Sequence, residues 1–219
     1  MTPHSTAPKV RPTQWSWQKL AGRVRVPLGF VTAALYVFEA MRHPARPAAI
    51  AWSLVLVLPG LALRAAASGT VKKNRELAVT GPYAYTRNPL YLGSMLMAAG
   101  FAVALLSWPL ALLLGVGFAV IYIPVIAGEE RFLRGTFPGF EDYCRRVPRL
   151  IPRLTPAKVQ DFQAVPPSAS AGPGAHYGGF SFALYRKHRE YNAAIGAALL
   201  YLSLLYLRPV LEALLNRFR

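Results

Sequence analysis

The chain has 219 residues, of which 54% are hydrophobic, and it carries a formal net charge of +16. Its apolar residues come in long blocks, near the roughly 17–25 residues that a helix needs to cross a bilayer, which excludes an ordinary soluble domain. Because lipid cannot satisfy backbone polar groups, we expect helices, and we predict an all-α, polytopic membrane bundle of four to five transmembrane helices.

The apolar blocks are taken in chain order. Residues 1–25 are basic and contain proline and tryptophan, and we expect them to lie at the membrane interface. The first block, 26–41, is short for a span, and a polar turn at 42–46 separates it from the second block, 47–67. Pro59 interrupts the second block and predicts a kink, because proline removes one helix hydrogen bond.

The middle of the chain predicts a helical hairpin. A polar segment, 68–88, leads to a third apolar block at 90–107, and Pro89 suits the start of that helix because its missing N–H would have been unpaired there. After a two-residue turn, the fourth block runs from 110 to 127. The third and fourth blocks should therefore pack as antiparallel neighbours.

The C-terminal part divides into three. We assign residues 26–153 to a membrane core that ends in a basic amphipathic segment on the cytoplasmic side. Residues 154–184 form a linker, because their centre is rich in Pro, Gly, Ser and Ala. Residues 185–219 form an apolar helix that Arg208 and Pro209 interrupt, so the sequence leaves open whether this helix spans the bilayer or lies along its surface.

The positive charge lies between apolar blocks and not in one separate domain, so nucleic acid is not expected as a partner. The N-terminus and the segments 68–88 and 128–190 carry most of the charge. They fall on one side if the first four blocks each span, and that side is predicted to be cytoplasmic. Arg42 and Arg46 fit less well, since they would face the other side. Anionic headgroups of the bilayer would add to the attraction.

The most distinctive pattern lies at 81–93, where Gly-Pro-Tyr-Ala-Tyr-Thr-Arg-Asn-Pro-Leu-Tyr-Leu-Gly opens the third block. Tyrosines and arginine also occur in an ordinary interfacial belt. The complete order is harder to explain in that way. An arginine at this depth can hold a charged small molecule beside a lipid-soluble one.

A pair of glutamates follows the fourth block. Glu130 has Arg134 four residues later, so a salt bridge within the helix is its simplest explanation. Glu129 has no such local partner, and we expect it to meet a cation elsewhere, for which a positively charged ligand is one candidate.

A basic segment at 137–153 forms the third pattern. It contains Arg145, Arg146, Arg149 and Arg153, and an amphipathic helix with arginines toward lipid phosphates is the simplest explanation. Cys144 is the only cysteine, so no intramolecular disulfide is possible, and a half-buried structural role is expected for it. No metal site is expected, because no His or acidic cluster accompanies it.

In their order and spacing the three patterns resemble one family, the integral-membrane methyltransferases that include isoprenylcysteine carboxyl methyltransferases and phospholipid N-methyltransferases. The resemblance covers about residues 74–153. It depends on these residues: Gly81, Pro82, Tyr83, Arg87, Asn88, Pro89, Tyr91, Glu129, Glu130, Leu133, Phe137, Tyr143, Val147 and Pro148.

The resemblance implies S-adenosylmethionine as cofactor, bound at the cytoplasmic end of the helices without a Rossmann fold. It implies catalytic roles for Arg87, Glu129 and Tyr85. The cofactor-binding residues carried over by motif are Tyr83, Arg87, Asn88, Pro89, Tyr91, Glu129, Glu130, Tyr143 and Arg146. Glutamates suit the cationic groups of this donor, and arginine suits its carboxylate.

Two positions depart from the pattern that the resemblance implies. Many members have His where this chain has Asn88, and Asn cannot take a proton, so a general-base role is lost there. Phe140 stands where many members have a second tyrosine. The first departure favours a nucleophile that needs no base.

The acceptor implied is lipophilic and membrane-embedded, either a carboxylate of the prenylated-cysteine type or a lipid amine. It would enter sideways from the bilayer between helices. Two other functions stay open from the residues: an NADPH-dependent membrane reductase of the sterol-reductase type, and a non-enzymatic membrane protein that binds anionic lipid.

Overall fold

The computed structural model describes residues 17–44, 46–71, 77–137, 139–158 and 179–217. Within these ranges the regular elements are all helical, which confirms the all-α prediction. They are α1 (Trp17–Arg42), α2 (Pro47–Thr70), a short 3-10 helix (Gly81–Ala84), α3 (Pro89–Leu105), α4 (Trp108–Thr136), α5 (Phe140–Arg146), α6 (Phe182–Lys187) and α7 (Tyr191–Arg217).

Three helices of the described part are long and apolar enough to cross a membrane: α2, α4 and α7 over Tyr191–Leu214. The apolar helix α3 has 17 residues and is shorter than this requirement. α1, which the sequence counted as a short first span, is not among the three. The predicted number of four to five is therefore met by three clear candidates and one shorter helix.

The predicted hairpin of α3 and α4 is present. α3 begins at Pro89 and is closed by Leu106, which adopts a left-handed conformation with φ of 51°. The side chain of Ser107 then caps α4 by accepting a hydrogen bond of 3.2 Å from the Leu110 N–H. The turn therefore lies at Leu106 and Ser107, two residues before the predicted one, and Trp108 and Pro109, which were predicted to form the turn, begin α4.

α4 differs from the prediction at its end. The apolar block ends at 127, but the helix continues to Thr136. Glutamate and arginine are good helix formers, so a change of polarity does not end a helix. As a result Glu129 and Glu130 project from α4 itself. In α2, similarly, Pro59 lies inside a helix that continues to Thr70.

α2 and α3 cross closely because small residues face one another. A Cβ added at Gly93 would lie 2.7 Å from the Gly60 carbonyl oxygen, and one added at Gly100 would lie 2.9 Å from that of Ser53. In each helix the two positions are seven residues apart and share a face. Small residues at such contacts let helix backbones approach in a membrane.

α7 runs along the whole bundle. Near its start Glu190 is bound to Arg64 of α2, and further along Leu204 packs with Leu105 and Leu110 at the α3–α4 hairpin. Its Tyr201 hydroxyl lies 2.7 Å from Ser53 Oγ. These contacts, with its length and composition, favour a spanning helix over one on the surface.

Two predicted segments fall mainly outside the described residues: 1–16 of the interfacial segment and 159–178 of the linker. The remaining residues of the interfacial segment, 17–25, belong to α1. The predicted C-terminal helix, 185–219, is divided into α6 and α7 by Arg189, which has φ of 55°.

Candidate functional site

The site begins with the tight turn that precedes α3. Gly81 has φ of 58°, a left-handed conformation that favours glycine. The following 3-10 helix buries Tyr83, while Tyr85 lies more exposed. The turn lies against the end of α2, since a Cβ added at Gly81 would be 3.2 Å from the Thr70 hydroxyl oxygen.

An extended segment after α5 pairs with this turn. The Arg87 N–H donates to the Pro148 carbonyl at 2.9 Å, and the Tyr85 carbonyl accepts from the Arg153 N–H at 2.9 Å. The buried Thr86 hydroxyl donates to backbone oxygens of the same segment at 3.2 Å. The two stretches therefore hold each other, although Thr86 and its partners are 63 and 64 residues apart in sequence.

This pairing corrects the expectation of one amphipathic helix over 137–153. α5 ends at Arg146, because Pro148 has no N–H to continue a helix and restricts the residue before it. Arg149 and Arg153 consequently make contacts within the protein. Arg153 donates to the Arg146 carbonyl.

Glu130 lies at the centre of a charged cluster. Its carboxylate accepts two hydrogen bonds from Arg149, at 3.0 and 2.6 Å, and lies 3.0 Å from Nη1 of Arg87. The expected pair with Arg134 is wrong, since Arg134 binds Glu141 instead. Glu130 is buried whereas Arg134 is exposed. The cations that pair with Glu130, Arg87 and Arg149, therefore come from other segments.

Glu129 points elsewhere. Its Oε1 accepts a hydrogen bond of 2.8 Å from the Tyr91 hydroxyl. Within the described part of the chain no cation pairs with this carboxylate, and it is exposed. Of the two glutamates, Glu129 is therefore the one available to a ligand.

The arginine that the sequence analysis assigned to the cofactor, Arg146, does not contact Glu130. Arg146 lies 3.5 Å from Asp142 within α5 and is half-exposed. Arg149 binds Glu130 instead. The sequence analysis did not predict the contact of Arg149 with Glu130; the signal for it was Pro148, which ends α5 and turns the chain back toward Glu130. The role of Arg146 toward the cofactor stays a prediction.

Asn88 is buried and holds the same segment. Its side-chain N–H donates to the Arg149 carbonyl at 2.9 Å, while Pro89 is buried as the first residue of α3. Asn88 thus positions the backbone of Arg149, the residue that binds Glu130.

Tyrosines on α5 and the 3-10 helix complete the buried side. The Tyr143 hydroxyl donates to the Tyr83 carbonyl at 2.8 Å. Burial, and then the negative charges of Glu129 and Glu190, raise the pKa of the Tyr83 phenol; burial likewise raises the pKa of Tyr143. Phe140 packs with Tyr143 and Val147 in a hydrophobic core, where a hydroxyl would need a partner.

Arg87 also contacts Cys144. Its Nη1 donates to the Cys144 sulfur, and its Nε is buried and has no hydrogen-bond partner among the residues that the structure describes. Burial raises the pKa of the Cys144 thiol more than the nearby Arg87 lowers it. Cys144 is half-buried, as the sequence predicted.

An apolar groove of about 660 Å³ lies between α3 and α4. Tyr91 and Tyr122 line its site end, and Leu106 and Trp108 line the hairpin end. Small residues make room for it, among them Ala98, Ala102, Ala111 and Gly115. The Tyr91 hydroxyl joins this groove to Glu129.

The fold and the site together define a helical membrane protein with a charged site beside an apolar groove. Residues 62–139 match the model of the phospholipid methyltransferase family. This confirms, for that stretch, the resemblance to integral-membrane methyltransferases. The stretch contains Arg87, Asn88, Tyr91 and both glutamates.

Two curated proteins are similar over 84 residues. The nickel-cobalt-cadmium resistance protein NccN of Alcaligenes xylosoxydans xylosoxydans is 40% identical, and the cobalt-zinc-cadmium resistance protein CzcN of Cupriavidus metallidurans is 39% identical. Each match covers 38% of this chain and 39% of the relative's length. No solved structure matches this chain.

The names of these relatives describe resistance to metal ions. In the described ranges of this chain, no group of three or more His, Cys, Asp or Glu side chains is placed to hold a metal ion.

Proposed function

We propose that this protein is an S-adenosylmethionine-dependent methyltransferase that acts on a lipophilic, membrane-embedded acceptor. The observation that carries the proposal is the Tyr91–Glu129 hydrogen bond. It joins an exposed carboxylate in the charged site to the end of an apolar groove, so a cationic donor and a lipid-soluble acceptor can meet there.

The charges of the site suit this donor. Glu129 would hold its cationic groups, and the buried, unpaired Nε of Arg87 would meet its carboxylate. Glu130 would act indirectly, since Arg87 and Arg149 already occupy its two oxygens. When bound, S-adenosylmethionine supplies a methyl group activated by a positively charged sulfur.

Tyr83, Asn88, Pro89 and Tyr143 would shape the wall of the donor site. Their main-chain and side-chain contacts hold the turn and the extended segment together, and such positioning is a large source of rate enhancement. Tyr85 and Arg146 are exposed, and they would contact the donor from the solvent side.

The groups around the site favour an acceptor that needs no base. Asn88 cannot take a proton, and the raised pKa of Tyr83 keeps that phenol protonated. A carboxylate acceptor is ionised at neutral pH and can attack without losing a proton. For a lipid amine, Glu129 is the candidate base.

The groove defines the shape of the acceptor. Tyr91 and Leu106 are about 22 Å apart along the axis of α3, given a rise of about 1.5 Å per residue. A single long hydrocarbon chain could lie between α3 and α4 with its reactive head near Glu129. It would enter sideways from the bilayer. We place the charged site on the cytoplasmic side, because the segments around it carry most of the positive charge.

Methyl transfer tests this proposal directly. Purified protein in vesicles of its own host lipids, given S-adenosylmethionine with a radioactive methyl group, should transfer label into the organic-soluble fraction. Glu129→Gln should abolish the transfer, while Glu212→Gln, which removes an exposed carboxylate of α7, should not. Labelling equal to that of vesicles without protein would contradict the proposal and leave the reductase and the lipid-binding protein.

A further inference from the structure

The C-terminal segment caps the end of α2. Helix ends leave their last carbonyls without partners inside the helix. The Gly69 carbonyl accepts a hydrogen bond of 2.9 Å from the Ser181 N–H, and the Ser68 carbonyl lies 2.9 Å from Nδ1 of His188. The Phe180 ring covers Gly69, where an added Cβ would come within 2.3 Å of it. Residues 180–188 are therefore fitted to the site end of α2.

A bidentate salt bridge between Glu190 and Arg64 holds the start of α7 against α2. Glu190 accepts two hydrogen bonds from Arg64 of α2, at 3.1 and 2.7 Å. Both side chains are largely buried, with 13% of Glu190 and 23% of Arg64 exposed. Replacing only one residue of such a partly buried ion pair lowers stability, because the remaining charge is left without a partner.

Arg64 also binds α3. Its Nη1 donates to the Ser94 hydroxyl and to the Leu90 carbonyl. The absence of a side chain at Gly93 makes room for it, since a Cβ there would lie 2.7 Å from Cγ of Arg64. These residues surround Tyr91 in the first turns of α3.

We propose that Glu190 is a positioning residue of the active site: through Arg64 it fixes the first turns of α3, and with them the Tyr91 hydroxyl that holds Glu129. This inference depends on the proposed function. It extends the site beyond residues 62–139, which match the family, into the C-terminal segment. The charge of Glu190 also acts on Tyr83, which agrees with a place beside the site.

The test compares four proteins by calorimetric titration with S-adenosylhomocysteine: the parent, Glu190→Gln, the double variant Arg64→Gln/Glu190→Gln, and Glu212→Gln. Glu212 is the matched control, because it binds Arg208 on the same helix. We expect Glu190→Gln to weaken binding by about tenfold, in the range of coupling carried by positioning residues.

The double variant separates positioning from stability. It leaves no unpaired charge, so its melting temperature should return toward that of the parent while its affinity stays weak. Recovery of both quantities would overturn the inference, because Glu190 would then act only on stability. Parental affinity in folded Glu190→Gln would overturn it too, with the proposed function intact. If the parent protein does not bind S-adenosylhomocysteine, both the proposed function and the inference about Glu190 are wrong.

Discussion

The Tyr91 hydroxyl donates a hydrogen bond of 2.8 Å to Oε1 of Glu129. This contact joins the first turns of α3 to α4 at the point where the apolar groove meets the charged site. Tyr91 also packs its ring edge against Tyr122, with 4.9 Å between the ring centres. Glu129 is therefore oriented by residues that themselves line the groove.

The neighbouring carboxylate, that of Glu130, binds different partners. Successive residues of an α-helix point about 100° apart, and Glu130 consequently faces Arg87 and Arg149. The two adjacent glutamates therefore differ in their partners. Glu130 forms salt bridges with Arg87 and Arg149, whereas Glu129 accepts a hydrogen bond from Tyr91 and is exposed.

The first prediction concerns Glu130. Changing Glu130→Gln leaves the buried Arg87 without its carboxylate, so we expect a loss of about 3 kcal/mol in stability, the lower end for breaking a buried ion pair. Thermal unfolding in detergent, followed by tryptophan fluorescence, measures it. Glu141→Gln is the control, since its pair with Arg134 is exposed to solvent and should contribute little to stability. Equal effects of the two substitutions would contradict the account.

The second prediction concerns the α2–α3 contact. Gly93→Ala would force a methyl group against the Gly60 carbonyl, at 2.7 Å, and overpacking of this kind costs about 1–3 kcal/mol. We expect a lower melting temperature and weaker binding of the donor, because Tyr91 belongs to the displaced turn. Gly196→Ala serves as control, as nothing lies within 4 Å of an added Cβ there. An unchanged melting temperature in Gly93→Ala would show that the helices do not pack so closely.

The third prediction concerns the groove. Gly115 lines it, and no atom lies within 4 Å of an added Cβ, so Gly115→Leu should fold and occupy the space. We expect the KM for a lipid acceptor to rise about tenfold, the scale of a misfit of one or two carbons, with the Kd for S-adenosylhomocysteine unchanged. Val116→Leu, on the exposed face outside the groove, should change neither quantity. An acceptor KM unaffected by Gly115→Leu would place the acceptor elsewhere.

The fourth prediction concerns Cys144. Because burial raises the pKa of its thiol, less thiolate is present at a given pH than for a free cysteine, and thiolate is the reactive form. Alkylation by N-ethylmaleimide should therefore be slow at neutral pH and reach half its maximum at a pH above that of free cysteine. In Arg87→Gln the midpoint should rise further, since Arg87 lowers this pKa. A midpoint below that of free cysteine would contradict the geometry.

Much of the architecture was predictable because it depends on local signals. Pro89 and the two-residue turn before the fourth block gave the start of α3 and its hairpin with α4. The ends of the helices were less predictable: α4 continues nine residues beyond 127 to Thr136, because helix propensity persists where hydrophobicity stops.

The partners within the site were harder to predict, since they depend on tertiary contacts. The spacing of four residues predicted Arg134 as the salt-bridge partner of Glu130. In the structure Glu130 is buried and pairs with Arg87 and Arg149. Nothing local to Glu190 indicated Arg64, which lies on another helix 126 residues away. The site residues themselves came from the order of motifs, and their roles toward a donor stay predictions.

The most direct test of the central claim is calorimetric titration of the purified protein with S-adenosylhomocysteine, beside folded Glu129→Gln and Glu212→Gln. The account predicts binding by the parent and by Glu212→Gln, and loss of binding in Glu129→Gln with an unchanged melting temperature. Binding of equal strength in Glu129→Gln, or binding of NADPH in place of S-adenosylhomocysteine by the parent, would contradict it.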